Sequence, residues 1–312
     1  MTEMNRRDAL RLLCTAAGIA MICPPQGDAS ESIPAPMGAM LSRKIPASGE
    51  LLPAIGLGTS RTFDVGRSAA ERAPLEEVVS SFVGLGGKLV DSSPMYGNAE
   101  EVVGDLAAKL GLRPQLFLAT KVWTSGKQAG MAQMEDSMRK LRSERIDLMQ
   151  VHNLLDVDTH LDTLEAWKRE GRIRYTGITH YTAGGQPEVA RIVAARPLDF
   201  IQINYSVAER DAEQRLFPLA RDRGVAVIVN RPFGAGGLLR RVAGRPLPEW
   251  AADIDCTSWA QLLLKFVVSH PAVTCAIPAT SKAAHLRDNM RAGFGRLPDQ
   301  ELRERIAAAV VG

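Results

Sequence analysis

Asp91, Tyr96, Lys121 and His152 are the side chains of this chain whose types and spacing suit chemistry. Each closes or closely follows a short apolar run: KLVDSS at 88, with Tyr96 just beyond it, LFLATKV at 116 and IDLMQVH at 146. A phenol ordinarily titrates at about 10, so one that gives and regains a proton needs a neighbouring positive charge to favour its anion. Lys121 is the candidate for that charge, Asp91 for the carboxylate that holds the ammonium, and His152 for a donor that orients a substrate oxygen. As a set they suit protonation of a carbonyl oxygen while hydride reaches its carbon. Singly, each has a plainer reading: a snorkelling lysine, a histidine at a strand end, an aspartate capping a turn, a packing tyrosine with a satisfied hydroxyl. Asp91 and His152 alone would also serve as acid and base of a cofactor-independent hydrolase or isomerase, leaving Tyr96 and Lys121 idle. No metal-ligand spacing is present, so no metal is expected.

Positioning these residues falls to a repeated unit. Short apolar runs alternate with helical stretches along the chain: AIGLGTS at 54, the three runs above, IRYTGITH at 173, DFIQINY at 199, VAVIVNRPF at 225 and VTCAIPAT at 273. Their ends, near Thr59, Asp91, Lys121, His152, Thr179, Asn204, Asn230 and Ala279, mostly recur at about thirty residues, one strand–helix unit each. Regular strand, crossover helix, strand repeats predict an α/β fold with parallel strands, and eight units favour closure into a single-domain (β/α)8 TIM barrel over residues 41–312. In such a barrel the carboxyl ends of neighbouring strands converge, bringing the four residues to one rim. The longest interval carries GAGGLLRRVAGRPLPEWAADIDC after the seventh strand, a partial lid by expectation, and the eighth helix ends near Gly312, which leaves the site fairly open.

The chain has 312 residues, with 38 Lys and Arg against 35 Asp and Glu, a net charge of +3. No basic run of the kind that tracks a phosphate backbone stands out, which speaks against nucleic acid as a partner. Apolar residues are spread over short runs rather than gathered into a span of about twenty. The amino terminus is different. NRRDALRLLCTAAGIAMIC pairs Arg6 and Arg7 ahead of an apolar run with no polar face, and resembles a twin-arginine export signal. Residues 1–29 are therefore expected to be a leader with small residues before a cleavage site at Ala29, and 30–40 a linker. The twin-arginine export machinery would then be a partner and the protein periplasmic, or cytoplasmic if the leader does not function. Cys14 and Cys23 fall in the leader; Cys256 and Cys275 remain, and no disulfide is expected.

Asp91 with the SPMYGNAE run that follows at 93, then ATKVW, LMQVHN, GITH, QINY and IPAT, taken in order, resemble the signatures of the aldo/keto reductase family over nearly the whole expected domain. The resemblance implies a barrel without a Rossmann domain, reversible NADPH-linked reduction of an aldehyde, ketone or sugar, and Asp91, Tyr96, Lys121 and His152 as the catalytic set. It places a cofactor along the rim, with Thr59 at the first strand end and Thr179, His180 and Gln202 at the nicotinamide carboxamide, His180 standing where members more often carry Asn. After the seventh strand the pattern departs: Asn230 replaces an aromatic that stacks on nicotinamide. Arg231 would lie over the ring or pair with the pyrophosphate, followed by Pro232 and Phe233, and the amides of Gly234, Gly236 and Gly237 would approach phosphate oxygens. Thr280, Ser281 and Asn289 would hold the adenosine end, with Lys282 and Arg287 replacing basic residues missing at Ala279 and His285. NADPH is the first expectation and NADH the alternative. Phe63, Met95, Trp123, Tyr205 and Trp250 are candidates for the substrate wall and equally for packing. A different reading keeps the barrel and a tightly held nicotinamide but makes the protein a regulatory or partner-binding module with little turnover. Oligomeric state is not legible.

Overall fold

The computed structural model describes residues 38–312, so the expected leader and the linker up to residue 37 lie outside the described residues. A hairpin comes first, β1 (Ser42–Lys44) and β2 (Leu51–Pro53), paired antiparallel. Eight parallel strands follow in sequence order: β3 (Leu57–Gly58), β4 (Leu89–Asp91), β5 (Phe117–Val122), β6 (Ile146–His152), β7 (Ile173–Thr179), β8 (Phe200–Asn204), β9 (Ala226–Asn230) and β10 (Cys275–Ala276). Between them run α1 (Ala69–Gly84), α2 (Ala99–Lys109), α3 (Lys127–Lys140), α4 (Val157–Arg169), α5 (Gln186–Ala195), α6 (Leu216–Asp222), α7 (Gly237–Val242) and α8 (Trp259–Val268). After β10 come α9 (Ala283–Arg291) and α10 (Gln300–Val311). Bridges from Ile55 to Ala276 and from Gly58 to Ala279 join the first and last barrel strands, which closes the barrel the repeats predict. That closure needs glycine at 58, where a Cβ would stand 2.8 Å from the Ile277 carbonyl oxygen.

Residues two apart on a strand share a face, and the barrel strands use this to stack layers. Leu89, Phe117, Ala119, Leu148 and Phe200 belong to one inner apolar cluster. The next inward positions toward the carboxyl ends are polar and buried: Asp91, Lys121, Gln150 and Gln202. The apolar layer thus excludes water from beneath a polar one, and the polar layer is where the expected chemistry sits.

Two features differ from the sequence reading. Ile45 and Leu52 of the hairpin join the inner cluster, so the hairpin covers the amino-end of the barrel, and Tyr175 reaches it with its hydroxyl 2.7 Å from Ser48 Oγ. The stretch after β9 is packed rather than left as a lid: Leu238 and Val242 of α7, and Ala251 and Ile254 of the 3-10 turn Glu249–Ile254, are buried. Lys265 of α8 pins that turn, its buried ammonium donating to the carbonyls of Ile254 (2.6 Å) and Arg296 (2.7 Å). Cys256 and Cys275 are buried free thiols. Among the described residues no helix is long and apolar enough to cross a membrane, and no group of three or more His, Cys, Asp or Glu is placed to hold a metal ion.

Candidate active site

β4, β5 and β6 bring Asp91, Lys121 and His152 to adjacent strand ends, and the turn after β4 returns Tyr96 over them. The Lys121 ammonium, fully buried, donates to Asp91 Oδ2 at 2.7 Å and to the Ser92 carbonyl at 2.6 Å. Its third N–H is free to face Tyr96, whose ring centre lies 5.0 Å from Nζ. Asp91 is the hub. Its Oδ1 accepts from Gln202 Nε2 at 2.7 Å and from Gln150 Nε2 at 3.3 Å. The His152 ring meets the Tyr96 ring edge-on, with centres 5.9 Å apart and planes at 89°.

Burial and charge set the protonation states. For Lys121, burial works against the ammonium, but the Asp91 charge, with Tyr96 beside it, outweighs burial and holds the group protonated above its ordinary range. For Tyr96, burial raises the phenol's pKa and Asp91 adds to this, by more than the Lys121 charge lowers it. Lys121 favours the anion, as expected of it, but by less than burial opposes it: the phenol is neutral, a proton donor whose anion Lys121 makes less unfavourable. His152 is pushed down from 6.5 to about 3, first by burial and then by the charges of Lys121 and His180, so it is a neutral imidazole at physiological pH.

Residues expected to bind a cofactor occupy the remaining arc, and several are already engaged. Thr179 Oγ1 donates to Gln202 Oε1 at 3.1 Å. Thr59 is buried, its hydroxyl directed to the Asp91 carbonyl at 2.9 Å. The His180 ring stacks on Tyr181 and accepts from the Thr182 amide; it rests on Gly185, where a Cβ would stand 2.1 Å from Nδ1. Arg231 donates to the Tyr181 carbonyl at 3.0 Å, and so in this structure is tied to the β7 loop rather than extended over the rim. Pro232 and Phe233 are buried. Gly234 and Gly236 take left-handed φ of 55° and 83°, but their amides donate to Arg231 and Phe233 carbonyls, and that of Gly237 to Gly234. These three N–H groups close the turn instead of pointing to a phosphate, which corrects the expectation drawn from the glycine cluster. Thr280 Oγ1 accepts from the Lys282 amide at 3.1 Å at the start of α9, where Ser281 is exposed and Asn289 is buried on the helix. Arg287 is held by Glu77 at 3.0 Å across the gap to α1.

A nicotinamide dinucleotide fits this arc on two observations. Asn204 Nδ2 and Asn230 Oδ1, at register-paired ends of β8 and β9, are buried without a hydrogen-bond partner among the described residues, and buried polar atoms are normally paired. An amide acceptor and donor at that place match a carboxamide. The first amides of α9 precede its intrahelical bonds and suit an anion.

The substrate-wall candidates separate. Met95 and Trp123 are exposed at the rim, 40% and 42%. The Trp123 ring centre lies 6.4 Å from that of His152, and Gln133 grips the Trp123 backbone from both sides. Phe63 and Tyr205 have no exposed surface and line nothing: Phe63 is core, and the Tyr205 hydroxyl is bound to Glu213 and Arg303. Trp250 packs under Arg305 of α10 and is likewise structural. Gln150, Ser92 and Ser93 are site residues that the sequence reading missed; Gln150 carried a signal, since it lies two residues before His152 and so on the same face. At the other end of the barrel a cleft of about 770 Å³ is lined by Arg113, Arg145 and Arg174 among others. Arg113 and Arg174 there are paired with Ser143, Asp147 and Glu50.

Residues 54–309 match the aldo/keto reductase family. Methylglyoxal reductase YeaE of Escherichia coli (strain K12) is 30% identical over 258 residues, 80% of this chain and 89% of that protein. Among solved structures, an aldo-keto reductase from Klebsiella pneumoniae in complex with NADPH is 25% identical with a TM-score of 0.72, covering 88% of this chain and 96% of the other. Another from the same organism, in complex with NADP and acetate, is 26% identical with a TM-score of 0.70, covering 84% and 93%.

Proposed function

This chain belongs to the aldo/keto reductase family of oxidoreductases, and from that premise we propose that it reduces a small aldehyde or ketone with NADPH, Tyr96 supplying the proton. The observation that carries the reading is the buried array of Lys121 on Asp91, beneath a neutral Tyr96 and beside a neutral His152. Such an array has one donor able to release a proton, one to orient an oxygen, and a fixed positive charge to take up the phenolate left behind. NADPH-bound relatives and a relative named for methylglyoxal support the cofactor and the substrate class.

Hydride for the carbonyl carbon would come from a reduced nicotinamide held along the arc from β7 to α9. The residues that would hold it are Thr179, Gln202 and Asn230 near the carboxamide, and Thr280 with the first amides of α9 near phosphate. The protein's own part is proton management. His152 donates an N–H to the carbonyl oxygen and sets its direction; Tyr96 transfers its proton to that oxygen as negative charge develops. Lys121 stabilises the resulting phenolate, and Asp91, with Gln150 and Gln202, keeps the ammonium in place. Met95 and Trp123 form the apolar side of the entrance.

Fluorescence titration of the protein beginning at residue 38 with NADPH and with NADH, followed by addition of methylglyoxal and a panel of larger aldehydes, tests the reading. Tight NADPH binding with oxidation on adding an aldehyde is the expected outcome. Tight binding with no oxidation by any carbonyl would replace it with the partner-binding module, and no binding of either cofactor would remove both. On Arg6, Arg7 and the apolar run after them we also propose export by the twin-arginine route; replacing both arginines with lysine should retain the protein in the cytoplasm, and unchanged fractionation would reject that route.

A further inference from the structure

Ser93 lies 2.9 Å from His152 Nδ1, through its Oγ, and has no exposed surface. It stands in the turn that carries the proton donor: the Tyr96 amide donates to the Ser93 carbonyl at 3.0 Å, with Pro94 at the second position of the turn, where its fixed φ is favoured. The Met95 amide donates to the same Oγ at 3.3 Å. One residue thus places the phenol's loop with its backbone and touches the imidazole with its side chain.

The direction of the Ser93–His152 bond follows from counting protons. A serine hydroxyl has one proton and two acceptor positions. One acceptor position is used by the Met95 amide. Were His152 to carry its proton on Nδ1, Oγ would accept twice and its own buried proton would have no acceptor among the described residues, an arrangement that buried groups avoid. If the hydroxyl donates to Nδ1 instead, both Oγ and Nδ1 are satisfied, and the proton of the neutral ring must be on Nε2.

We propose that Ser93 is a positioning residue that fixes His152 in the Nε2–H tautomer, so that the ring presents a donor, not a lone pair, to the substrate oxygen. The assignment builds on the reductase reading above, where His152 orients a carbonyl. It adds a reason why the imidazole resists a second proton: an Nδ1–H would have to displace the hydroxyl's donation.

The test is long-range proton–nitrogen correlation NMR of the imidazoles at neutral pH, in wild type and in Ser93→Ala, with His152→Gln assigning the resonances. The wild type should show a single neutral Nε2–H form for His152. Ser93→Ala should show exchange between tautomers, and, with NADPH affinity unchanged, a fall in kcat of up to about tenfold, the bias of one neutral hydrogen bond. Ser93→Thr, which keeps the hydroxyl, should restore both the spectrum and the rate. An Nδ1–H form in the wild type, or an unaltered His152 spectrum in Ser93→Ala, would overturn the proposal. Should no carbonyl be reduced by any form, the reductase reading fails while the tautomer result still decides the role of Ser93.

Discussion

The arc of the rim from β4 to β6 and the arc from β7 to β10 use the same strand-end positions and are finished differently. In the first, Lys121 and Gln150 are bonded to Asp91, and Ser93 to His152, by hydrogen bonds that need no ligand. In the second, Thr179 and Gln202 bond to each other, Arg231 and His180 are occupied within the β7 loop, and Asn230 and Asn204 keep unpartnered buried atoms. Electrostatic catalysis depends on groups fixed before charge develops, and the first arc meets that condition. The second leaves polar atoms unpartnered, as the proposed cofactor site requires. On the proposed reading, chemistry is built in on one side of the barrel mouth and binding is left open on the other.

The comparison breaks most readily at Tyr96. Tyr96→Phe should lower carbonyl reduction by about 10²–10⁴-fold, the usual worth of a positioned proton donor. NADPH affinity should not move, because the second arc is untouched. Single-turnover oxidation of bound NADPH measures the first and fluorescence titration the second; turnover within a few fold of wild type would take the proton donor away from Tyr96.

Lys121→Met tests how far the first arc is also structural. It leaves Asp91 buried with only two amide donors, and breaking a buried pair by removing one partner costs about 3–5 kcal/mol. Urea unfolding should report a loss of that order. Adding Asp91→Asn should recover part of it, since the uncompensated charge is then gone. Full stability in the single variant would mean that Asp91 is served well enough by Gln150 and Gln202, and that the arc's order does not depend on the ion pair.

His152 extends the contrast to pH. Its folded pKa, about 3, lies below the ordinary 6.5. The unfolded chain therefore binds a proton that the folded chain refuses as pH falls below 6.5. The sign is that of a depressed group: its contribution is complete above 6.5 and is lost on acidification toward 3, by up to about 1.4 kcal/mol per pH unit. The stability difference between wild type and His152→Gln should shrink or invert as pH drops from 7 to 4. A difference that stays constant over that range would show His152 titrating normally, and with it a wetter site than the burial of this ring implies.

Legibility in the sequence divides along the same line. The eight strands and the convergence of Asp91, Tyr96, Lys121 and His152 follow from apolar runs at regular spacing, because a two-residue period and a closed barrel leave little freedom in where strand ends go. Gln150 was within reach by the same period. Ser93 was not: serine is ordinary in a turn, and its contact with His152 exists only once two loops are placed. The neutral state of Tyr96 needed burial, which a list of nearby charges omits. On the other arc, reading glycines as phosphate-binding amides failed because Gly234, Gly236 and Gly237 spend their N–H groups inside their own turn. Phe63 and Tyr205 fall to packing, one of the two readings left open, since an aromatic after a strand can face the mouth or the helix layer and only packing decides which. The hairpin β1–β2 escaped notice because its strands are only three residues long and carry few apolar residues, with Ile45 and Leu52 as buried anchors while Leu51 is exposed.

Asn230 offers the finest test, with the smallest effect. Its Oδ1 has no partner among the described residues, while Nδ2 reaches the His180 carbonyl at 3.3 Å, a long bond. In Asn230→Leu the orphaned acceptor disappears and only a weak hydrogen bond is lost, so folding stability should change by less than about 1 kcal/mol. NADPH affinity should weaken by about five- to tenfold if the carboxamide is the missing partner, the contribution of one neutral hydrogen bond. Proton chemistry should be spared: single-turnover oxidation at saturating NADPH should stay within about twofold of wild type, because no group of the first arc bonds to Asn230. Unchanged affinity would leave the orphaned oxygen without a ligand role and shift the weight of cofactor recognition to Thr179 and Gln202. Equal losses in affinity and in the single-turnover rate would instead mean that the two arcs are coupled, with the route running through Gln202, whose side chain bonds to both Thr179 and Asp91.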